Sequence, residues 1–200
     1  MQTIVLASAN QHKIKEFKKI LKEFNIITMK DIGFSDEIIE NGETFAQNAE
    51  IKSSKIHEFC VKNGLNYMVL ADDSGLIVNS LNGEPGVFSA RYSGEHGNDK
   101  ANRDKVISNL ENFMDRSASF ICSLCLIKEN GEKILAEGRT DGIILNHEEG
   151  YDGFGYDCIF FSEDLGKTFG CASEEEKNSV SHRGRALKEL REKLKKEKMI

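Results

Sequence analysis

Three short apolar runs, at residues 3–7, 26–28 and 67–72, are separated by two segments of helical periodicity, and this alternation constrains the fold more than any other feature. The first run leads into a polar turn at residues 8–12, then a segment that puts Ile14, Phe17, Leu21 and Phe24 on one face. Thr44 and Gln47 form a capping-box pair that opens the second helical segment, expected to reach about residue 62 with Phe45, Ala49, Ile56, Phe59 and Cys60 buried. Strand, helix, strand, helix, strand predicts an α/β fold with a mixed central β-sheet flanked by helices. The third run ends in Asp72-Asp73-Ser74-Gly75, turn-forming residues at which the strand is expected to stop.

Further along, Asn98 is placed to cap a third helix reaching about residue 114. Strands are expected at 119–127 and 133–140, joined by a hairpin at Asn130-Gly131, with a separate strand at 142–145. A glycine-rich stretch at 150–157 precedes an apolar segment at 158–161, and a last helix starts near Ser181 and carries Ala186, Leu187, Leu190 and Leu194 inward. The chain has no internal repeat and no low-complexity linker, so one domain over residues 1–200 is expected.

A chain of 200 residues that is 39% apolar and 30% charged can build a full core. Its formal charge of −6 disfavours a broad grip on nucleic acid, but a small anion needs only a local cluster of cations and amides. The N-terminus lacks a basic region followed by a signal-length apolar stretch, and no later run approaches bilayer length, so a cytoplasmic protein without a membrane partner is expected. Five scattered cysteines argue against a disulfide framework. Cys122 and Cys125 lie three apart in a strand, where they face opposite sides and cannot pair on a metal.

Four segments carry chemistry. Ser8, Asn10 and Lys13 surround the start of the first helix, a natural seat for phosphate although no P-loop spacing is present. Glu40, Asp72 and Asp73 supply enough carboxylate for one magnesium that keeps waters and phosphate oxygens as its other ligands. In Phe154-Gly155-Tyr156-Asp157, glycine allows close backbone approach and an aromatic offers a stacking face. Lys177, Ser181, His182 and Arg183 gather around the start of the last helix, where cations oppose the macrodipole and so point to an anionic or keto-bearing ligand.

Together these segments, SxNxxK, ENGxTFxxNAxxK at 40–52, ADDSGL at 71–76, GxPGxxSARYSG at 83–94, GFGYD at 153–157 and EKNxxSHRGxAL at 176–187, resemble the inosine/xanthosine triphosphate pyrophosphatase family in its own order over residues 4–187. The resemblance implies two lobes around a nucleotide-binding cleft, and a homodimer. It implies phosphate and ribose contacts from Ser8, Asn10, Lys13 and Lys52, magnesium at Glu40 and Asp73 with Asp72 beside them, and Asp73 as catalytic base. Ser74 would hold substrate, Phe154, Gly155, Tyr156 and Asp157 would frame the base, and Lys177, His182 and Arg183 would complete its recognition. Lys13, Lys52 and Lys177 would also stabilise the leaving pyrophosphate. The chain departs from the family pattern in the first loop, at Cys158, where proline often stands, and at residues 169–173.

The expected reaction splits inosine, deoxyinosine and xanthosine triphosphates into monophosphate and pyrophosphate, cleansing the nucleotide pool of deaminated purines. Two other readings stay open at this point. One is a pyrophosphatase for other modified nucleotides; the other is a nucleotide-binding protein without catalysis.

Overall fold

The computed structural model describes residues 2–200. Its strands are β1 (Thr3–Leu6), β2 (Asn25–Thr28), β3 (Met68–Val78), β4 (Ser117–Ile127), β5 (Lys133–Ile144), β6 (Phe160–Ser162) and β7 (Lys167–Thr168). The α-helices are α1 (Gln11–Ile20), α2 (Phe45–Lys62), α3 (Asp99–Asn109), α4 (Glu174–Val180) and α5 (His182–Lys196). Seven strands form one sheet in the order β2-β1-β3-β4-β5-β6-β7. β1 runs parallel to β2 and β3, while β6 is antiparallel to β5 and β7, so the sheet is mixed as expected.

The chain divides into two compact units. One contains the stretch ending at Asp73 with Cys122–Glu137 and Ala186–Ile200; the other contains Ser74–Ile121 and Gly138–Arg185. In the first unit the pleat sorts the strand residues between two cores. Ile4, Leu6, Met68 and Leu70 pack with Ile14 and Phe17 of α1 and Leu187 and Leu190 of α5. Val5, Ala7, Val69 and Ala71 pack with Ile56 and Cys60 of α2. Strands covered on both faces are continuously apolar, which is why β1 reads as an unbroken run. In the second unit Leu76, Val78, Val106, Leu110, Phe120, Phe160 and Phe169 form one core.

α2 begins as expected: Thr44 Oγ1 accepts a hydrogen bond from the Gln47 amide and Gln47 Oε1 accepts one from the Thr44 amide, a box that contributes about 1 kcal/mol. Cys122 and Cys125 are both buried, in different clusters, as their strand spacing requires. All five cysteines are free thiols.

Four expectations need correction. β3 does not stop at Asp72-Asp73 but runs on to Val78, because Leu76 and Val78 are fully buried and their burial outweighs the turn preference of Asp-Ser-Gly. The strand expected at 142–145 is the end of β5, whose exposed-buried alternation passes without a break through Gly142. There a Cβ would lie 2.3 Å from the Phe161 carbonyl oxygen, so Gly142 permits the close approach of β6 and does not end a strand. α3 ends at Asn109, short of 114, since beyond Leu110 no side chain continues the buried stripe and Met114 is almost wholly exposed. α4 was not anticipated, and it takes Lys177 away from the start of the last helix. Its signal is Ser173-x-x-Glu176, a second capping box.

Glu176 accepts from the Ser173 amide and from Lys167, and these bonds, the lysine's first, hold its carboxyl at about 2 against an ordinary 4.5. A depressed carboxyl stabilises the fold above the unfolded value and loses that contribution as pH falls through the folded one. Glu176→Gln is therefore expected to melt below the wild type at pH 7, with the gap closing between pH 4.5 and about 2 in thermal denaturation.

Candidate active site

Because β3 continues through the aspartate pair, its pleat sends the two carboxylates to opposite faces of the sheet. Asp72 follows Met68 and Leu70 toward α1, where Lys13 Nζ lies 2.8 Å from its Oδ2. The carboxylate is 1% exposed, so its charge has to be met by close partners, Lys13 among them. Asp73 follows Val69 and Ala71 toward α2. Lys52 Nζ of that helix lies 3.2 Å from Asp73 Oδ1 and 2.7 Å from Glu40 Oε2.

Glu40 and Asp73 thus aim one oxygen each at a single cation, the Lys52 ammonium, while Asp72 is engaged by a different lysine. Among the described residues no group of three His, Cys, Asp or Glu side chains is arranged to hold a metal. Burial pushes the Asp73 carboxyl above its ordinary value, and Lys52 and Lys13 only partly offset it. Burial works against the charge of Lys52, but Asp73, Asp72 and Glu40 together raise it above an ordinary lysine. The result is a firmly charged ammonium facing a carboxylate that binds protons more readily than usual.

Asn48 was not singled out in the sequence, although it stands inside the 40–52 motif. It is 2% exposed; its Nδ2 donates to Asp73 Oδ2 at 3.1 Å and its Oδ1 accepts the Gly42 N–H at 2.8 Å. Gly42 has to be glycine here, because a Cβ would lie 2.8 Å from that Oδ1. Both oxygens of Asp73 are therefore held, one by Asn48 and one by Lys52. Ahead of α1, Asn10 is the N-cap, accepting from the His12 and Lys13 amides at 2.9 and 3.2 Å, and Ser8 Oγ accepts from the Asn10 amide at 3.3 Å. That cap sets Lys13 in the first turn of α1, aimed at Asp72.

The remaining site residues lie in the second unit. Phe154 is half-buried, with Lys177 Nζ 4.7 Å and Arg183 Cζ 5.9 Å from its ring centroid. Asp157 Oδ2 accepts from Lys177 Nζ at 2.7 Å and from the Phe154 amide at 2.8 Å. A Cβ on Gly153 would lie 2.1 Å from that same oxygen. Tyr156 is a core residue whose hydroxyl donates to the Ser89 carbonyl at 2.8 Å. Arg183, 2% exposed, donates from Nη2 to Ser74 Oγ at 2.9 Å. The His182 ring stacks on Phe120 with centroids 4.7 Å apart and planes at 15°.

Ser181 Oγ accepts from the Gly184 amide at 3.1 Å and so caps α5. A Cβ on Gly184 would lie 1.9 Å from the Asn178 carbonyl oxygen, so this glycine lets the two last helices meet. Chemically, the first unit offers paired carboxylates and ammonium groups suited to phosphate and a hard cation. The second offers an aromatic face with cationic donors suited to a flat heterocycle with keto oxygens.

The model of the Ham1 family matches residues 4–193. The dITP/XTP pyrophosphatase of Clostridium perfringens is 46% identical over 200 residues, spanning 98% of this chain and 98% of its own. That of Desulfotalea psychrophila is 47% identical over 190 residues, spanning 94% and 83%. The Staphylococcus aureus Ham1 protein structure aligns with a TM-score of 0.87 at 40% identity, covering 98% of this chain and 100% of that one. The nucleoside-triphosphatase / dITP/XTP pyrophosphatase of Mycobacterium abscessus aligns at 0.75 and 38%, covering 94% and 98%.

In metal-free protein, the Asp73 carboxyl carbon followed by NMR is expected to titrate above 3.8, with a midpoint that rises again in Lys52→Met, since Lys52 favours the ionised form. A midpoint at or below 3.8 would mean that the burial of Asp73 is offset by its cations.

Proposed function

The chain belongs to the Ham1 family, and we propose that it hydrolyses inosine, deoxyinosine and xanthosine triphosphates between the α and β phosphates, releasing the monophosphate and pyrophosphate. The observation that carries this reading is Asp73: a buried carboxylate with raised proton affinity, held by Asn48 and Lys52, with Glu40 aimed at the same ammonium.

Glu40 and Asp73 suit magnesium, which is commonly bound by one or two carboxylates together with substrate phosphates. Their oxygens already converge on a cation, and the Lys52 ammonium stands in for one. When bound there, the metal supplies positive charge to the phosphate chain. Asp73 orients the attacking water and takes its proton, a task favoured by a carboxyl pushed toward neutrality. Lys52, held between Glu40 and Asp73, and Lys13 stabilise charge on the departing pyrophosphate. Asp72, on the other face, fixes Lys13. Ser8 and Asn10 fix the turn that presents Lys13.

Phe154 offers its face to the base, and Arg183 and His182 supply donors for the purine 6-keto oxygen, with Ser74 holding Arg183 in place. Lys177, pinned on Asp157, keeps the Phe154 turn shut. Adenine presents an amino donor where inosine has an acceptor, and leaving buried donors unpaired in this way is worth about 10⁴-fold in specificity. No helix among the described residues is long and apolar enough to cross a membrane, and the free cysteines suit a reducing cytoplasm. We read the protein as a homodimer; Phe113 and Met114, large apolar side chains exposed after α3, favour a covering partner.

The test is product analysis with inosine, xanthosine, deoxyinosine, adenosine and guanosine triphosphates, with magnesium or with chelator. Pyrophosphate is expected, with inosine and xanthosine forms preferred and chelator abolishing turnover; orthophosphate as product, or no base preference, would overturn the reaction or its selectivity. Asp73→Asn is expected to lose at least about 10²-fold in kcat while keeping nucleotide binding. Near-normal kcat in that variant would assign the water to another group.

A further inference from the structure

Phe154 sits in a turn whose next residue, Gly155, has a left-handed φ of +62° and is gripped at both of its polar groups by one helix. The Gly155 N–H donates to Asp99 Oδ2 at 2.9 Å, and the Gly155 carbonyl accepts from Arg103 Nη1 at 2.8 Å. Asp99 and Arg103 are four residues apart and so lie one above the other on α3. Arg103 is itself oriented by Glu148, 2.8 Å from its Nε, which leaves the guanidinium little freedom.

The helix that carries this grip is firmly seated. Val106 and Leu110 are fully buried, Asn102 Oδ1 accepts the Ser93 amide at 2.8 Å, and Lys105 Nζ donates to the Tyr92 carbonyl at 2.6 Å. The residues flanking Gly155 are fixed from other directions: the Phe154 amide by Asp157, and Tyr156 by burial and the Ser89 carbonyl. The backbone of the turn is thereby held at successive residues, and the aromatic ring is presented from a rigid frame. Asp99 and Arg103 both act on the backbone of Gly155.

We propose that Asp99 and Arg103 are positioning residues that set the placement of Phe154 and, through it, the discrimination between purine bases. This rests on the nucleotide reading above. Carboxylate and guanidinium hold opposite ends of one residue, so loss of Asp99 frees the Phe154–Gly155 peptide and loss of Arg103 frees the Gly155–Tyr156 peptide that follows it; a displacement of about 1 Å in a substrate-positioning group can cost on the order of 10²-fold.

The experiment has two arms, run on the full chain with circular dichroism to establish folding. Without nucleotide, the Gly155 amide is followed by hydrogen exchange in wild type, Asp99→Ala, Arg103→Met and Asp99→Asn. With nucleotide, kcat and KM are measured for inosine and adenosine triphosphates. Asp99→Ala is expected to lose Gly155 protection, and both Asp99→Ala and Arg103→Met to raise KM for inosine triphosphate about tenfold and lower the inosine-to-adenosine ratio of kcat/KM about tenfold, with kcat changed less than about threefold. Asp99→Asn keeps an acceptor for the Gly155 N–H and is expected to restore both exchange protection and selectivity. Wild-type Gly155 exchange in folded Asp99→Ala overturns the proposal. So does lost protection with unchanged KM and base ratio, or failure of Asp99→Asn to restore them. If the wild type itself shows no preference for inosine over adenosine, the functional reading falls, and the exchange arm still decides whether α3 holds the turn.

Discussion

The pleat of β3 through Asp72 and Asp73 is the constraint on which the rest depends. Two neighbouring carboxylates in a continuing strand cannot share a face, so each needs its own cation from its own side of the sheet. α1 supplies Lys13 to Asp72 and α2 supplies Lys52 to Asp73. The partition also divides their surroundings. Asp72, almost wholly buried, is paired with Lys13; Asp73 has Lys52 and Asn48 on its two oxygens.

Burial decides which effect wins at each member of this cluster. A buried carboxylate would rather be neutral, and at Asp73 that tendency exceeds the pull of two lysines. At Lys52 the balance runs the other way, since three carboxylates outweigh its own desolvation. A cation, the Lys52 ammonium, is therefore retained between Glu40 and Asp73. In the second unit the same economy of space governs geometry instead of charge: Gly153 and Gly184 sit where any Cβ would strike Asp157 or the Asn178 carbonyl, so Lys177 and Arg183 can lie over one phenylalanine.

Much of this was legible in the residues. The capping box at Thr44, the opposite faces of Cys122 and Cys125, and the strand-helix alternation follow from local periodicity and hydrogen-bond chemistry, and the structure has each of them. Two of the corrections share one cause. Local preference makes Asp-Asp-Ser-Gly a stop and Gly142 a boundary, whereas Leu76, Val78 and the approach of β6 carry both strands straight through. The Ser173–Glu176 capping box announces α4, while the cations at 177–185 suggest a single helix where the chain forms two. Asn48 looked like an ordinary helical residue, and only its contacts with Gly42 and Asp73 give it a task.

The sequence by itself determined the α/β class and the succession of the first helices and strands, since periodicity and caps are local properties. Only the tertiary structure decided which carboxylate meets which lysine, that Asp72 and Asp73 part company, and that α3 grips the turn bearing Phe154. Those outcomes depend on which way a side chain points from a strand whose length is set by burial elsewhere, and on contacts between residues far apart in the chain.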